Sequence, residues 1–129
     1  MRIFFDVDNT LLYSSGANWN LRPGTQEVMA LLKEHGHDLY IWSATGLLHC
    51  QRLVRRYNLE PFVTACFDKD PACGVTPDII VDDDWYLVEK YSGVCVAAYR
   101  RPDPEDRELF RILEVLETWN ALKMSEDGS

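Results

Sequence analysis

The chain has 129 residues, 47% of them hydrophobic and 26% charged, which is the profile of one globular domain rather than a disordered tail. Thirteen Lys and Arg against 21 Asp and Glu give a formal net charge of −8. That balance argues against a general nucleic-acid or anionic-membrane binder, because both need a basic surface, and no stretch reaches the roughly 20 apolar residues of a membrane helix.

Arg2 to Val7 reads as a first strand, apolar through Ile3, Phe4 and Phe5. Asp6 cuts this run after three residues, so it does not read as a signal-peptide core, and a cytoplasmic location is expected. Gly24 to His35 carries Val28, Met29, Leu31 and Leu32 at helical spacing, with Pro23 before it and Gly36 as a C-terminal cap.

Asp38 to Ser43 is the second strand; its run Leu39-Tyr40-Ile41-Trp42 suits burial on both faces of a parallel sheet. Leu47 to Tyr57 reads as a helix closed by Asn58, and Phe62 to Phe67 as the third strand. Asp78 to Asp82 is the fourth strand, Trp85 to Tyr91 a short helix, and Val94 to Tyr99 the fifth strand. A last helix is expected from Pro104 to about Met124, with Leu109, Ile112, Leu113, Leu116 and Trp119 as its stripe. Alternating strands and helices imply an α/β fold with a parallel sheet and helices on both faces. Cys50, Cys66, Cys73 and Cys95 show no close pair, and they read as small buried hydrophobes rather than ligands or disulfides.

In such folds ligands bind beyond the carboxyl ends of the strands. The first strand ends in Asp6-Val7-Asp8-Asn9-Thr10 and the fourth in Asp82-Asp83-Asp84. If those strands are neighbours, several carboxylates meet in a small volume, which is costly unless a cation joins them. Oxygen-only ligands suit Mg²⁺. Ser43, followed by Ala44-Thr45-Gly46, offers hydroxyl and amide donors for phosphate at the start of a helix, and Lys69 offers a balancing charge.

Blander roles stand beside these. Asp8-Asn9-Thr10 suits a turn, Asp84 suits a helix N-cap, and Ser43 to Gly46 suits a cap without a ligand. Thr45 can replace Ser43 as the phosphate contact. Lys69 can simply pair with Asp68 and Asp70. His35, His37 and His49 lack metal spacing and read as surface residues, although His49 lies near enough to the second helix start to approach the site. Arg52, Arg55 and Arg56 read as a solvated helix face.

Asp6-Val7-Asp8-Asn9-Thr10 resembles the D-x-D-x-T signature of the haloacid dehalogenase-like phosphohydrolases. Ser43 resembles the second motif of that superfamily, Lys69 its basic third motif, and Ile79-Ile80-Val81-Asp82-Asp83 its acidic fourth. The resemblance spans residues 3 to 84 and implies a single three-layer, Rossmann-like domain over residues 1–124. Its five-stranded, mainly parallel sheet has the expected order 5-4-1-2-3, and residues 125–129 form a frayed tail. Neither Leu11 to Arg22 nor Asp70 to Pro77 is long enough to hold the cap domain common in that superfamily, so the resemblance implies a capless member with a short flap at Tyr13 to Asn20.

The resemblance implies a Mg²⁺-dependent phosphomonoester hydrolase. Asp6 is the expected nucleophile, forming an aspartyl-phosphate, and Asp8 the expected acid and base. Thr10 holds the loop, Ser43 and Thr45 meet the phosphoryl group, and Lys69 offsets charge. Asp6, the Asp8 carbonyl, Asp82 and Asp83 are the expected metal ligands. Trp19, Asn20 and Arg22 are candidate specificity contacts for a phosphorylated small molecule or an exposed phosphate on a macromolecule. Rival functions are phosphotransfer to another acceptor, a catalytically silent module on the same fold, and a receiver-type signalling domain phosphorylated at Asp68. Substrate identity and oligomeric state stay open.

Overall fold

The computed structural model describes residues 1 to 127, with side chains through Trp119. Arg2–Asp6 forms β1. Leu12–Ser15 (β2) and Asn18–Leu21 (β3) pair antiparallel as a hairpin where the sequence predicts only a flap. Thr25–Glu34 is α1, Asp38–Ser43 β4, Leu47–Arg56 α2 and Val63–Asp68 β5. A 3-10 turn at Pro71–Cys73 leads to Ile79–Asp82 (β6), Trp85–Tyr91 (α3) and Gly93–Cys95 (β7). A second 3-10 turn at Glu108–Phe110 precedes Arg111–Asp127 (α4).

Five strands pair in parallel in the order β5-β4-β1-β6-β7. In chain labels this differs from the expected 5-4-1-2-3, because the hairpin adds two strands after the first. Counted without the hairpin, the strands lie third, second, first, fourth, fifth. β1 is therefore central and flanked by β4 and β6.

The alternation of side chains along each strand divides the core in two. Ile3, Phe5, Leu39, Ile41, Ile79 and Val81 face a cluster completed by Val28, Met29 and Leu32 of α1, Cys50 and Leu53 of α2, and Ile112 and Leu116 of α4. Phe4, Tyr40, Trp42 and Ile80 form the other cluster, against Leu87, Val88 and Tyr91 of α3. Phe4 stacks on Tyr40 at 4.8 Å between ring centroids and meets Trp42 edge-on at 4.8 Å. Burying Phe4 this fully stabilises by roughly 1.5–3 kcal/mol, so the second face is held mainly by aromatic packing.

Several boundaries move for local reasons. β1 stops at Asp6 because the Val7 carbonyl accepts the amides of Thr10, Leu11 and Leu12, which coils the chain. Asn9, at φ 64°, sits in the left-handed region that this coil needs. β7 is shorter than Val94 to Tyr99 because later amides find partners outside the sheet. Ala97 donates to the Glu108 carboxylate and Tyr99 to the Asn9 carbonyl. The last helix begins at Arg111 rather than Pro104, since Asp103 and Asp106 accept the intervening amides of Glu105 and Glu108. Ser125 to Asp127 continue α4 instead of forming a separate tail; residues 128 and 129 of that expectation lie outside the described residues.

Gly93 cannot be replaced without strain. Its φ is 148°, and a Cβ there would stand 1.9 Å from the Ile80 carbonyl oxygen across the β6–β7 pair. All four cysteines are free, but only Cys50 is buried; Cys66, Cys73 and Cys95 are half-buried, at odds with the expectation for all four. No helix among the described residues is long and apolar enough to cross a membrane.

Candidate active site

The pairing of β1 with β6 puts Phe5 opposite Val81, so the two acidic strand ends are side by side. Oxygen atoms of Asp6, Asp82 and Asp83 all lie within 4.8 Å of one another. Asp6 is 7% exposed and Asp82 1%. Burial pushes the Asp6 carboxyl up to about 7, the Asp82 charge adding to the rise while Lys69 and Thr10 oppose it. Asp82 is raised as well, chiefly by burial. The cluster thus holds more negative charge than its surroundings solvate.

One cation enters it from the protein. The Lys69 ammonium lies 3.1 Å from Asp6 Oδ1 and 2.6 Å from Asp82 Oδ2. Burial disfavours its charge, but the Asp6 and Asp82 carboxylates outweigh that and hold its pKa above the usual value. The Lys69 amide donates to the Ser43 carbonyl at 3.0 Å, which fixes the turn after β5 to the end of β4. The expected alternative pairing with Asp68 and Asp70 is not what forms. Asp68 accepts the Leu47 amide at the start of α2, and Asp70 caps the 3-10 turn through Ala72.

Thr10 ties the two acidic segments together. Its hydroxyl lies 2.9 Å from Asp6 Oδ2 and 3.2 Å from Asp83 Oδ1, and it accepts the Asp83 amide at 3.1 Å. With one hydrogen to give, it donates to only one carboxylate at a time. Asp82 is the more committed of the last two acids, since Oδ1 accepts the Asp84 amide and Oδ2 meets Lys69. Asp84 caps α3 by accepting the Tyr86 amide.

Asp8 points elsewhere. Its side chain is about two-fifths exposed, and it accepts from Thr45 Oγ1 at 2.8 Å and meets His49 Nε2 at 2.9 Å. Its backbone carbonyl takes no hydrogen bond among the described residues. Ser43 is buried and accepts the Thr45 amide, and its own hydrogen has no acceptor among the described residues. Thr45, expected as a phosphate contact, gives its hydroxyl to Asp8 instead. The Thr45, Gly46 and Leu47 amides are likewise taken by Ser43 Oγ, the Ser43 carbonyl and Asp68, so they do not form the free amide cluster expected at this turn.

Arg22 must be removed from the specificity contacts. It is 1% exposed, and its guanidinium donors are used inside the protein. Nε and Nη2 grip the Asp106 carboxylate at 2.7 and 2.9 Å, and Nη1 donates to the Thr10 carbonyl at 3.2 Å. Its role is to brace the loop that carries Thr10. Trp19 stays at the hairpin surface, half-buried, its ring 5.3 Å from that of His49 and under the Arg56 guanidinium at 5.0 Å.

The sequence does not single out Asp106, and it reads His49 as a surface residue able to approach the site, where the fold sets it against Asp8. Asp106 lies in a polar stretch with no pattern pointing to Arg22. The signal for His49 is its spacing: Thr45 and His49, four apart across the start of α2, share one side of that turn. No family model matches the chain, and no curated protein is significantly similar to it.

Proposed function

We propose that the protein is a Mg²⁺-dependent phosphomonoester hydrolase of the haloacid dehalogenase-like type, a capless three-layer domain working through an aspartyl-phosphate. The observation that carries this reading is the meeting of Asp6, Asp82, Asp83 and Lys69 at one strand-end cluster, with a second carboxylate, Asp8, held separately two residues on. The donor set fits the metal: hard oxygens only, an Asp6 carboxyl raised by burial and by Asp82, and one lysine among three acids. Asp6, Asp83 and the Asp8 carbonyl would hold it. Asp83 is favoured over Asp82 because both Asp82 oxygens are already bound. When bound, Mg²⁺ supplies positive charge against the phosphoryl oxygens.

An Asp6 oxygen attacks phosphorus as the bond to the leaving oxygen breaks, and Asp8 gives that oxygen its proton. Asp8 then takes a proton from water, which attacks the acyl-phosphate, releases phosphate and restores Asp6. Ser43 donates its free hydrogen to a phosphoryl oxygen. Lys69 favours the ionised form of Asp6, opposing the burial and the Asp82 charge that raise its pKa. Catalysis in such a site is mostly positioning and electrostatics. No observation favours the receiver alternative, because Asp68 is engaged in capping α2.

A panel of phosphorylated metabolites, nucleotides, phosphopeptides and 3′-phosphorylated oligonucleotides, with and without Mg²⁺, tests this reading. Phosphate release that EDTA stops and Asp6→Asn abolishes is expected. Release indifferent to EDTA, or full activity in Asp6→Asn, rejects it.

A further inference from the structure

The contacts of Asp8 go beyond what the proposed reaction requires. A carboxylate that only had to exchange a proton with substrate and water needs no partner within the protein. Here both oxygens are held: Oδ2 by the Thr45 hydroxyl at 2.8 Å and Oδ1 by His49 Nε2 at 2.9 Å. Thr45 is itself fixed, its amide donating to Ser43 Oγ at 3.0 Å. His49 packs T-shaped against Trp19, which also lies under the Arg56 guanidinium of the same helix as His49. The imidazole is mostly covered, with 16% of its side chain exposed.

We infer that His49 and Thr45 are positioning residues that clamp the Asp8 carboxylate so that it serves as the proton donor to the leaving oxygen. The inference rests on the hydrolase reading above and adds to it a second pair of residues, from α2 and the turn before it. As the phosphorus–oxygen bond to the leaving group breaks and the Asp6 oxygen–phosphorus bond forms, the Asp8 proton passes to the leaving oxygen. That oxygen departs as a neutral alcohol, and Asp8 is left as a carboxylate. The Thr45 O–H and the His49 Nε2–H then both donate to a full negative charge, where hydrogen bonds are strongest. They also hold Asp8 away from Asp6, whose own oxygens are tied to Lys69 and Thr10. The two carboxylates thus keep separate partners and separate tasks.

The hairpin enters through the same imidazole. Trp19 lies on β3 and packs edge-on against His49. The flap is therefore tied to the position of the proton donor.

The test compares two phosphomonoesters of similar shape, phenyl phosphate and 4-nitrophenyl phosphate, with Mg²⁺ present. Phenolate is the poorer leaving group and depends more on the proton from Asp8. His49→Ala and Thr45→Val should each lower kcat/KM for phenyl phosphate about ten- to a hundredfold, the scale of a misplaced catalytic group. The nitrophenyl ester should lose several-fold at most. His49→Gln, which keeps an N–H donor at the end of its side chain, should recover part of the loss. Equal losses on both esters, no loss on either, or a His49→Gln variant as slow as His49→Ala would overturn the inference while leaving the hydrolase reading standing. A wild-type protein that releases phosphate from neither ester in Mg²⁺ would overturn the reading and the inference together.

Discussion

Removing the guanidinium of Arg22 should unfold the support behind the acidic cluster. In the native protein that group is fully buried and makes a two-pronged ion pair with Asp106 at 2.7 and 2.9 Å, with the Asp106 side chain 13% exposed. It also donates to the Thr10 carbonyl and lies over the Tyr99 ring at 5.2 Å. Arg22→Met keeps most of the side-chain volume but leaves Asp106 with only the Glu108 amide, at 3.2 Å. Breaking a buried pair from one side costs about 3–5 kcal/mol, most of it the penalty of the stranded charge. For a chain of this size that corresponds to a Tm lower by roughly 10–20 °C. The assay is urea and thermal unfolding followed by circular dichroism, with Asp106→Asn and the double variant completing a cycle. Asp106→Asn retains an acceptor for Glu108 but no charge, so the double variant should regain at least half of the loss seen in Arg22→Met. Additive losses, or an Arg22→Met variant within about 1 kcal/mol of wild type, would refute the reasoning.

Asp6 makes the metal-free protein sensitive to pH in a defined direction. Burial holds its carboxyl at about 7 in the folded chain, above the 3.8 of an unburied aspartate, so between those values the folded state keeps a proton that the unfolded state releases. Stability from this group is therefore full below about pH 4, falls as pH rises, and levels off above about pH 7. In EDTA, Asp6→Asn should gain Tm relative to wild type across that interval; a difference that shrinks with rising pH would contradict the sign. Gly93→Ala should lose several kcal/mol in urea unfolding, because a methyl group 1.9 Å from the Ile80 carbonyl forces β7 off the sheet; a variant as stable as wild type would show that the edge yields. Ser43→Ala should retain the fold and lose about 3–4 kcal/mol of transition-state stabilisation, the typical worth of one donor to a developing oxyanion, measured as kcat/KM on the best ester of the panel; unchanged kinetics would remove Ser43 from the site.

The apolar strand runs made the central sheet legible. Leu39 to Trp42 and Ile79 to Val81 are buried because β4 and β6 flank β1 with helices on both faces. Where sequence order and spatial order differ, the pattern was silent. Tyr13 to Asn20 alternates too weakly to announce a hairpin, since only one side of it packs on the domain. β7 looks longer in the sequence than it is because Tyr99 is buried although its amide leaves the sheet for the Asn9 carbonyl, while Val96 gives the last amide to β6, at the Asp82 carbonyl. Within the candidate site, period-two spacing identified Asp6 and Asp8, and adjacency identified Asp82 and Asp83. The same proximity to the motif made Arg22 look like a substrate contact. Its actual partner, Asp106, is 84 residues away in the chain, and nothing local records that distance. Thr45 and His49 stand at a helix start, where the sequence leaves open whether a side chain meets a ligand or a neighbouring carboxylate; the fold sets both against Asp8.

The measurement that bears most directly on the proposed chemistry is mass spectrometry of acid-quenched protein. The Asp8→Asn variant retains the nucleophile but lacks the base that removes the phosphoryl group. Mixed with Mg²⁺ and 4-nitrophenyl phosphate, it should carry one added phosphoryl group on the peptide containing Asp6, and the adduct should vanish in EDTA or when Asp6 is also changed to Asn. A phosphoryl group on any other residue, an adduct that forms equally well in EDTA, or Mg²⁺-dependent phosphate release with Asp6 never modified would contradict the covalent role of Asp6.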